Sequence, residues 1–164
     1  MRSEPRVQLL LRQMDEAFNT RSWHGTNLRG SLRGLTEPVA AWRPAHTRHT
    51  IWEIALHTAY WKYAVRRRLL GLTRGSFPIK GSNWFRPDST PQIRSFAAVV
   101  KLLESEHRAL REAVATLRDA DLERRAPSRT TTNLTLITGI IAHDLYHAGQ
   151  IQLLKRLQGL KRGR

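Results

Sequence analysis

Apolar residues recur at three- and four-residue steps in four separate segments, and no stretch makes a convincing strand. In segment one, from about Glu4 to Phe18, Val7, Leu10, Leu11, Met14 and Phe18 form one stripe. Ser3 is placed to cap that helix, and Pro5 suits its first turn. Segment two opens on Thr50-Ile51-Trp52-Glu53, the pattern of a capping box, runs to about Leu70, and stops at Gly71. In segment three, Thr90 is the expected cap and Pro91 the first helical residue, with an end near Leu117. Segment four spans about Thr132 to Gln158, with Gly159 as its stop and Lys155 and Arg156 suited to its negative end.

The connections are long. Arg21 to Thr50 carries Gly25, Gly30, Gly34, Pro38 and Pro44 and reads as irregular apart from a short helix at Glu37 to Trp42. Gly71 to Thr90 reads as a loop of the length that often serves as a lid or binding element. A loop holding Asp119, Asp121, Pro127 and Ser128 precedes segment four. The expected fold is all-α, a four-helix bundle with long crossover connections, in one domain over residues 1–164.

Composition narrows the chemistry. Apolar residues make up 40% of the chain and are spread along it, which argues against wholesale disorder. With no cysteine, a disulfide scaffold, a cysteine nucleophile and a thiolate metal site are all excluded. No stretch approaches the ~20 apolar residues of a membrane span, and Met1 to Phe18 lacks the apolar core of a signal peptide. The expectation is a cytoplasmic protein without a membrane partner. A net charge of +15 predicts attraction to anions and nucleic acid. Basic residues are scattered, however, and no helix-turn-helix or aromatic stacking motif supports specific nucleic-acid binding.

The residues that carry chemistry are His143 and His147, four apart in segment four on the stripe Leu136, Ile140, His143, His147, Ile151 and Leu154. Helical residues at that spacing have Cβ atoms about 5–6 Å apart, within reach of one ion at zinc–nitrogen distances of about 2.0–2.1 Å. Both sit where a bundle wants core residues, and an unpaired buried polar group costs about 1–3 kcal/mol. A metal satisfies both rings; the alternative is a pair of hydrogen-bonded core histidines. A third ligand has to come from another helix. His57 is the best candidate, on the stripe Ile54, His57, Trp61 and Ala64. Three imidazoles leave positions free for water or substrate.

His57 followed by Trp61, with the run His143-Asp144-Leu145-Tyr146-His147-Ala148-Gly149-Gln150-Ile151, closely resembles the DinB-like family. Its members pair one histidine in helix two with a His-x-x-x-His-x-Gly-Gln-Ile run in helix four. Trp42, Pro44 and Ile51-Trp52-Glu53 are similar to that family as well. The resemblance implies a four-helix bundle with a crossover, often dimeric, and a divalent ion (zinc, nickel or manganese) on three histidines. By position these are His57, His143 and His147. It implies activities of the kind found among thiol-dependent S-transferases and isomerases and among metal-dependent hydrolases. The expectations are therefore a small-molecule substrate, a low-molecular-weight thiol co-substrate and a homodimer. A non-catalytic interaction protein that keeps a structural ion is the alternative.

Other residues are expected nearby. Gln150, three after His147, suits a hydrogen bond that orients a ligand. Asp144 stands where a zincin has its glutamate, although no downstream third ligand follows, so a solvated or supporting carboxylate is the plainer reading. Tyr60 and Tyr146 are candidate proton donors or packing residues, and Trp61 belongs to the pocket. Trp84 and Phe85 are expected either to roof the site or to anchor a dimer. His107 is expected to support the site or the core. His24, His46 and His49 are expected in solvent or at a pocket rim. Arg66, Arg67 and Arg68 suit a helix C-terminus, with contact to an anionic substrate as the alternative.

Overall fold

A computed structural model describes residues 4–81, 83–87, 90–125 and 130–162, with side chains of the last helix through 159. Within these lie α1 (Pro5–Phe18), α2 (Leu28–Ser31), α3 (Glu37–Ala41), α4 (Ile51–Leu69), α5 (Phe96–Ala115), a 3-10 helix (Asp119–Glu123) and α6 (Asn133–Arg162). No β-strand occurs among the described residues; Arg125 and Thr132 form an isolated bridge. The expected all-α bundle is present. α1 and α4 each pack against both α5 and α6, which sets α1 diagonal to α4 and α5 diagonal to α6. Both diagonal steps need long connections, as crossovers do.

The stripe of α1 faces inward as expected: Val7, Leu10, Leu11, Met14 and Phe18 are all buried. α4 is covered on most sides, by α5, α6, α3 and the loop that brings Phe77, Ile79 and Phe85 into the core. Fully buried side chains such as Leu56, Leu103 and Ile151 each contribute about 1.5–3 kcal/mol of apolar burial. The capping box is formed, Thr50 Oγ1 accepting from Glu53 N at 3.1 Å and Glu53 Oε2 from Thr50 N at 3.0 Å. α4 ends where expected, with Gly71 at φ 62°, a left-handed position that favours glycine.

Several boundaries differ from the sequence expectation, each through a long-range contact. α5 begins at Phe96, not at Thr90-Pro91. Ser95 Oγ accepts from Ala98 N at 3.1 Å, and Glu37 Oε1, at the start of α3, accepts from Phe96 N at 2.9 Å. Thr90 instead closes a turn, its hydroxyl donating to the Arg86 carbonyl at 2.7 Å. α5 also stops at Ala115, short of Leu117. Residues 119–123, expected as loop, form the 3-10 helix, and Asp119 caps α1 across the molecule by accepting from Arg6 N at 3.1 Å and Val7 N at 3.0 Å. Ser3, Pro127 and Ser128 lie outside the described residues. α6 runs through Gly159 to Arg162. Glycine permits a stop without requiring one, and no φ in the left-handed range occurs at Gly159. Lys155 therefore lies short of the helix end, and its Nζ donates to the Ser31 carbonyl at 3.1 Å, tying α6 to α2.

Asp144 is the largest departure. It is not solvated: it forms an ion pair with Lys62, itself almost fully buried, joining α6 to α4. The second carboxylate oxygen of Asp144 has no partner among the described residues. Burial pushes the Lys62 pKa down and the Asp144 pKa up, each opposed by the other's charge. Removing one member strands the other charge in the core, at a cost of about 3–5 kcal/mol, whereas replacing both with apolar groups avoids that penalty. Lys62→Met is therefore expected to lower stability by that amount in chemical denaturation. Lys62→Met with Asp144→Leu should recover most of it; a double variant as unstable as the single one would contradict this account.

Candidate metal centre

His57 projects from the middle of α4, and His143 and His147 from successive turns of α6, all three in contact between the two helices. Nε2 of His143 lies 3.2 Å from Nε2 of His57 and 3.1 Å from Nε2 of His147. These separations approach the roughly 3.3 Å that two metal–nitrogen bonds of about 2.05 Å subtend at a tetrahedral angle. His57 and His147 are buried and His143 half-buried. The group could hold a metal ion.

The outer hydrogen bonds decide the tautomers. His57 Nδ1 donates to the Asn83 carbonyl at 2.8 Å. His147 Nδ1 donates to Gln150 Oε1 at 2.7 Å, and the Gln150 amide is oriented by its own donation to Tyr146 Oη at 3.0 Å. With protons on both Nδ1 atoms, the Nε2 atoms of His57 and His147 present lone pairs toward His143. The neutral His143 ring has one proton. On Nε2 it can satisfy only one of those lone pairs, and His143 Nδ1 is buried without a partner among the described residues. No distribution of protons over neutral rings satisfies all three, so the donor set fits a cation.

Electrostatics keep the rings neutral, the form that binds metal. Burial first, then His147, His57 and Lys62, push the His143 pKa down to about 3. Burial pushes His147 down to about 4 against the opposing Gln150 hydrogen bond. His57 is lowered as well, mainly by burial, against the Asn83 carbonyl.

Aromatic side chains wall the cluster. Trp84 lies flat between His57, at 3.7 Å, and His49, at 3.6 Å. Trp61 turns an edge to both His57 and His143 at 6.3 Å. Trp84 thus covers the site, whereas Phe85 is buried beneath it in the core and is not an exposed anchor. Tyr60 packs on Trp61, Phe77 and Phe85 and makes no ring contact with an imidazole among the described residues, while the exposed Tyr146 turns an edge to His147 at 5.1 Å and accepts from Gln150. His49 lies at the rim through its stack on Trp84, and His24 and His46 are exposed.

His107 faces inward but is separate from the cluster, stacked on Phe18 at 3.7 Å. Asp144 bonds to Lys62 and to no imidazole. Sequence reasoning missed Lys62, although its place four residues after the buried Thr58 and three before the buried Val65 marks it as inward-facing. It also missed the Asn83 carbonyl, for which a side-chain pattern carries no signal.

Fold and cluster together define an all-α bundle with a three-histidine group between two of its helices. The chain belongs to the DinB superfamily, whose family model matches residues 6–151, from the first turn of α1 past all three histidines and Gln150. Comparison with curated proteins and with solved structures gives no match.

Both ring nitrogens of His107 are buried without partners among the described residues, and burial, then Lys62 and Arg111, hold its pKa down to about 2. Below an unfolded pKa of about 6.5 the unfolded chain binds a proton here that the folded chain does not, so stability falls as the pH drops. His107→Leu should reduce the loss of unfolding free energy between pH 6.5 and 4.5 by about 2 kcal/mol. An unchanged pH profile by denaturant titration would count against a buried neutral ring.

Proposed function

We propose that the protein is a divalent-metal-dependent enzyme with zinc, nickel or manganese on His57, His143 and His147, acting on a small-molecule substrate as a thiol S-transferase or a hydrolase. One observation carries this reading. Two imidazoles have their Nδ1 protons committed outward, so the Nε2 atoms of His57 and His147 both face that of His143, all within 4.8 Å of one another, with too few protons among them. Three protein ligands leave a coordination position for a reactant, unlike the closed four-ligand sets of structural zinc sites. An ion held there supplies Lewis acidity that brings the pKa of water or of a thiol co-substrate toward neutrality. The cysteine-free chain offers no thiol of its own, so a thiol reactant has to be a co-substrate.

The chain's own groups do the rest. Gln150 and the Asn83 carbonyl hold two rings in the metal-binding tautomer. Trp84 and Trp61 exclude water from one side, which strengthens electrostatic interactions within. The family resemblance supports a homodimer, and the absence of cysteine suits a cytoplasmic setting.

Purified without added metal, the protein should carry about one divalent ion per chain by elemental analysis. His143→Ala with His147→Ala should abolish both the ion and any activity in a thiol-dependence screen with electrophilic substrates. Full occupancy in that double variant would remove the proposal. An ion present with no turnover, with or without thiol, would favour a structural role. Gln150→Leu, which removes the acceptor on His147, should weaken metal affinity about 10–100-fold in a chelator competition. An affinity equal to wild type would contradict the orienting role.

A further inference from the structure

Beyond Trp61 from the imidazoles, at the end of α4, lies a cavity of about 320 Å³ whose lining includes Tyr60, Tyr63, Arg67, Arg68, Gly71 and Leu72. Positions 60, 63 and 67 share one face of α4, and the turn after the helix adds Gly71 and Leu72. No acidic side chain among the described residues lines it; the nearby Glu106 pairs with Arg66 at 3.1 Å. The two lining guanidinium groups lie against aromatic rings. Arg67 sits over Tyr63 at 5.7 Å and Arg68 over Trp61 at 5.4 Å. Stacking of this kind holds the charges in place before any ligand arrives.

Two donors on lining residues, Tyr63 Oη and Arg67 Nε, are buried and lack an acceptor among the described residues. Arg67 Nη2 is used on the Leu72 carbonyl at 3.0 Å, which fixes the guanidinium while leaving Nε free. The carbonyl dipole of a helix C-terminus opposes an anion, but here the last turn is closed. Gly71 N donates to the Arg68 carbonyl at 3.3 Å and Leu72 N to the Arg67 carbonyl at 3.0 Å. Two positioned cations, unused donors and no carboxylate among the described lining residues call for a ligand that brings negative oxygen.

We propose that this cavity binds a compact oxyanion, the phosphate or carboxylate end of a small ligand, on Arg67, Arg68 and the Tyr63 hydroxyl. The site is distinct from the imidazole cluster and does not depend on metal there.

Isothermal titration calorimetry of chelator-treated protein at constant ionic strength tests it, with sodium phosphate in one arm and sodium acetate in the other. The expected result is saturable binding of about one anion per chain. Phosphate alone assigns a phosphate end, and acetate alone or both anions a carboxylate-tolerant site. Arg67→Gln with Arg68→Gln should weaken the binding at least tenfold. Tyr63→Phe, which removes one hydroxyl from an otherwise unchanged ring, should weaken it several-fold. Arg12→Gln with Arg94→Gln removes the same charge from exposed positions elsewhere and should change it less than twofold. Saturable binding of neither anion, or an equal loss in the two double variants, would overturn the proposal by showing that only the net charge is felt. Metal content of Arg67→Gln with Arg68→Gln should stay at the wild-type level, which keeps this test separate from that of the three histidines.

Discussion

The contact between α4 and α6 governs the rest of the molecule, and its most demanding element is the buried pair of Lys62 and Asp144. Lys62 stands five residues after His57, and Asp144 immediately after His143. A charge pair without access to water tolerates no slippage, because sliding either helix by a turn strands both charges. The same register brings the Nε2 atoms of His57 and His143 to 3.2 Å. Such pairs add little net stability over apolar packing, and their best-attested use is to specify register. Here the pair stands beside the one place where a shift of an ångström would separate three imidazoles.

The fold was legible wherever local chemistry decides it. The α1 stripe, the capping box at Thr50 and the stop at Gly71 all depend on residues within a few positions of one another. Boundaries set by distant partners were not legible. The start of α5 depends on Glu37 from α3, and the first turn of α1 on Asp119, more than a hundred residues away. Gly159 shows the converse: its permissiveness is local, but the helix continues through it.

The histidine cluster was legible for a reason peculiar to helices. A polar pair on an apolar stripe contradicts the pattern around it, and the spacing of His143 and His147 restricts what can resolve the contradiction. Gln150 was readable on the same face. Asp144 misled, because its place next to a histidine pointed to the site while its side chain is turned to Lys62. The basic excess is equally uninformative as a total. Asp15, Glu53, Glu104, Glu106, Asp121, Glu123 and Asp144 are all matched with basic side chains, so part of the basic total is already engaged in ion pairs.

The segment between α4 and α5 is joined to the imidazoles twice over, through the Asn83 carbonyl on His57 Nδ1 and the Trp84 indole against the face of the same ring. A covering element is usually free to diverge, since altering it changes only what may enter. Here any drift in the backbone at position 83 reorients the His57 ring within the cluster, so the cover and the cluster cannot be tuned separately. Lineages that broaden access by remodelling this stretch should accordingly show compensating change at the position of His57 or its neighbours, and grafting a foreign loop onto this bundle should disturb the centre before it alters selectivity.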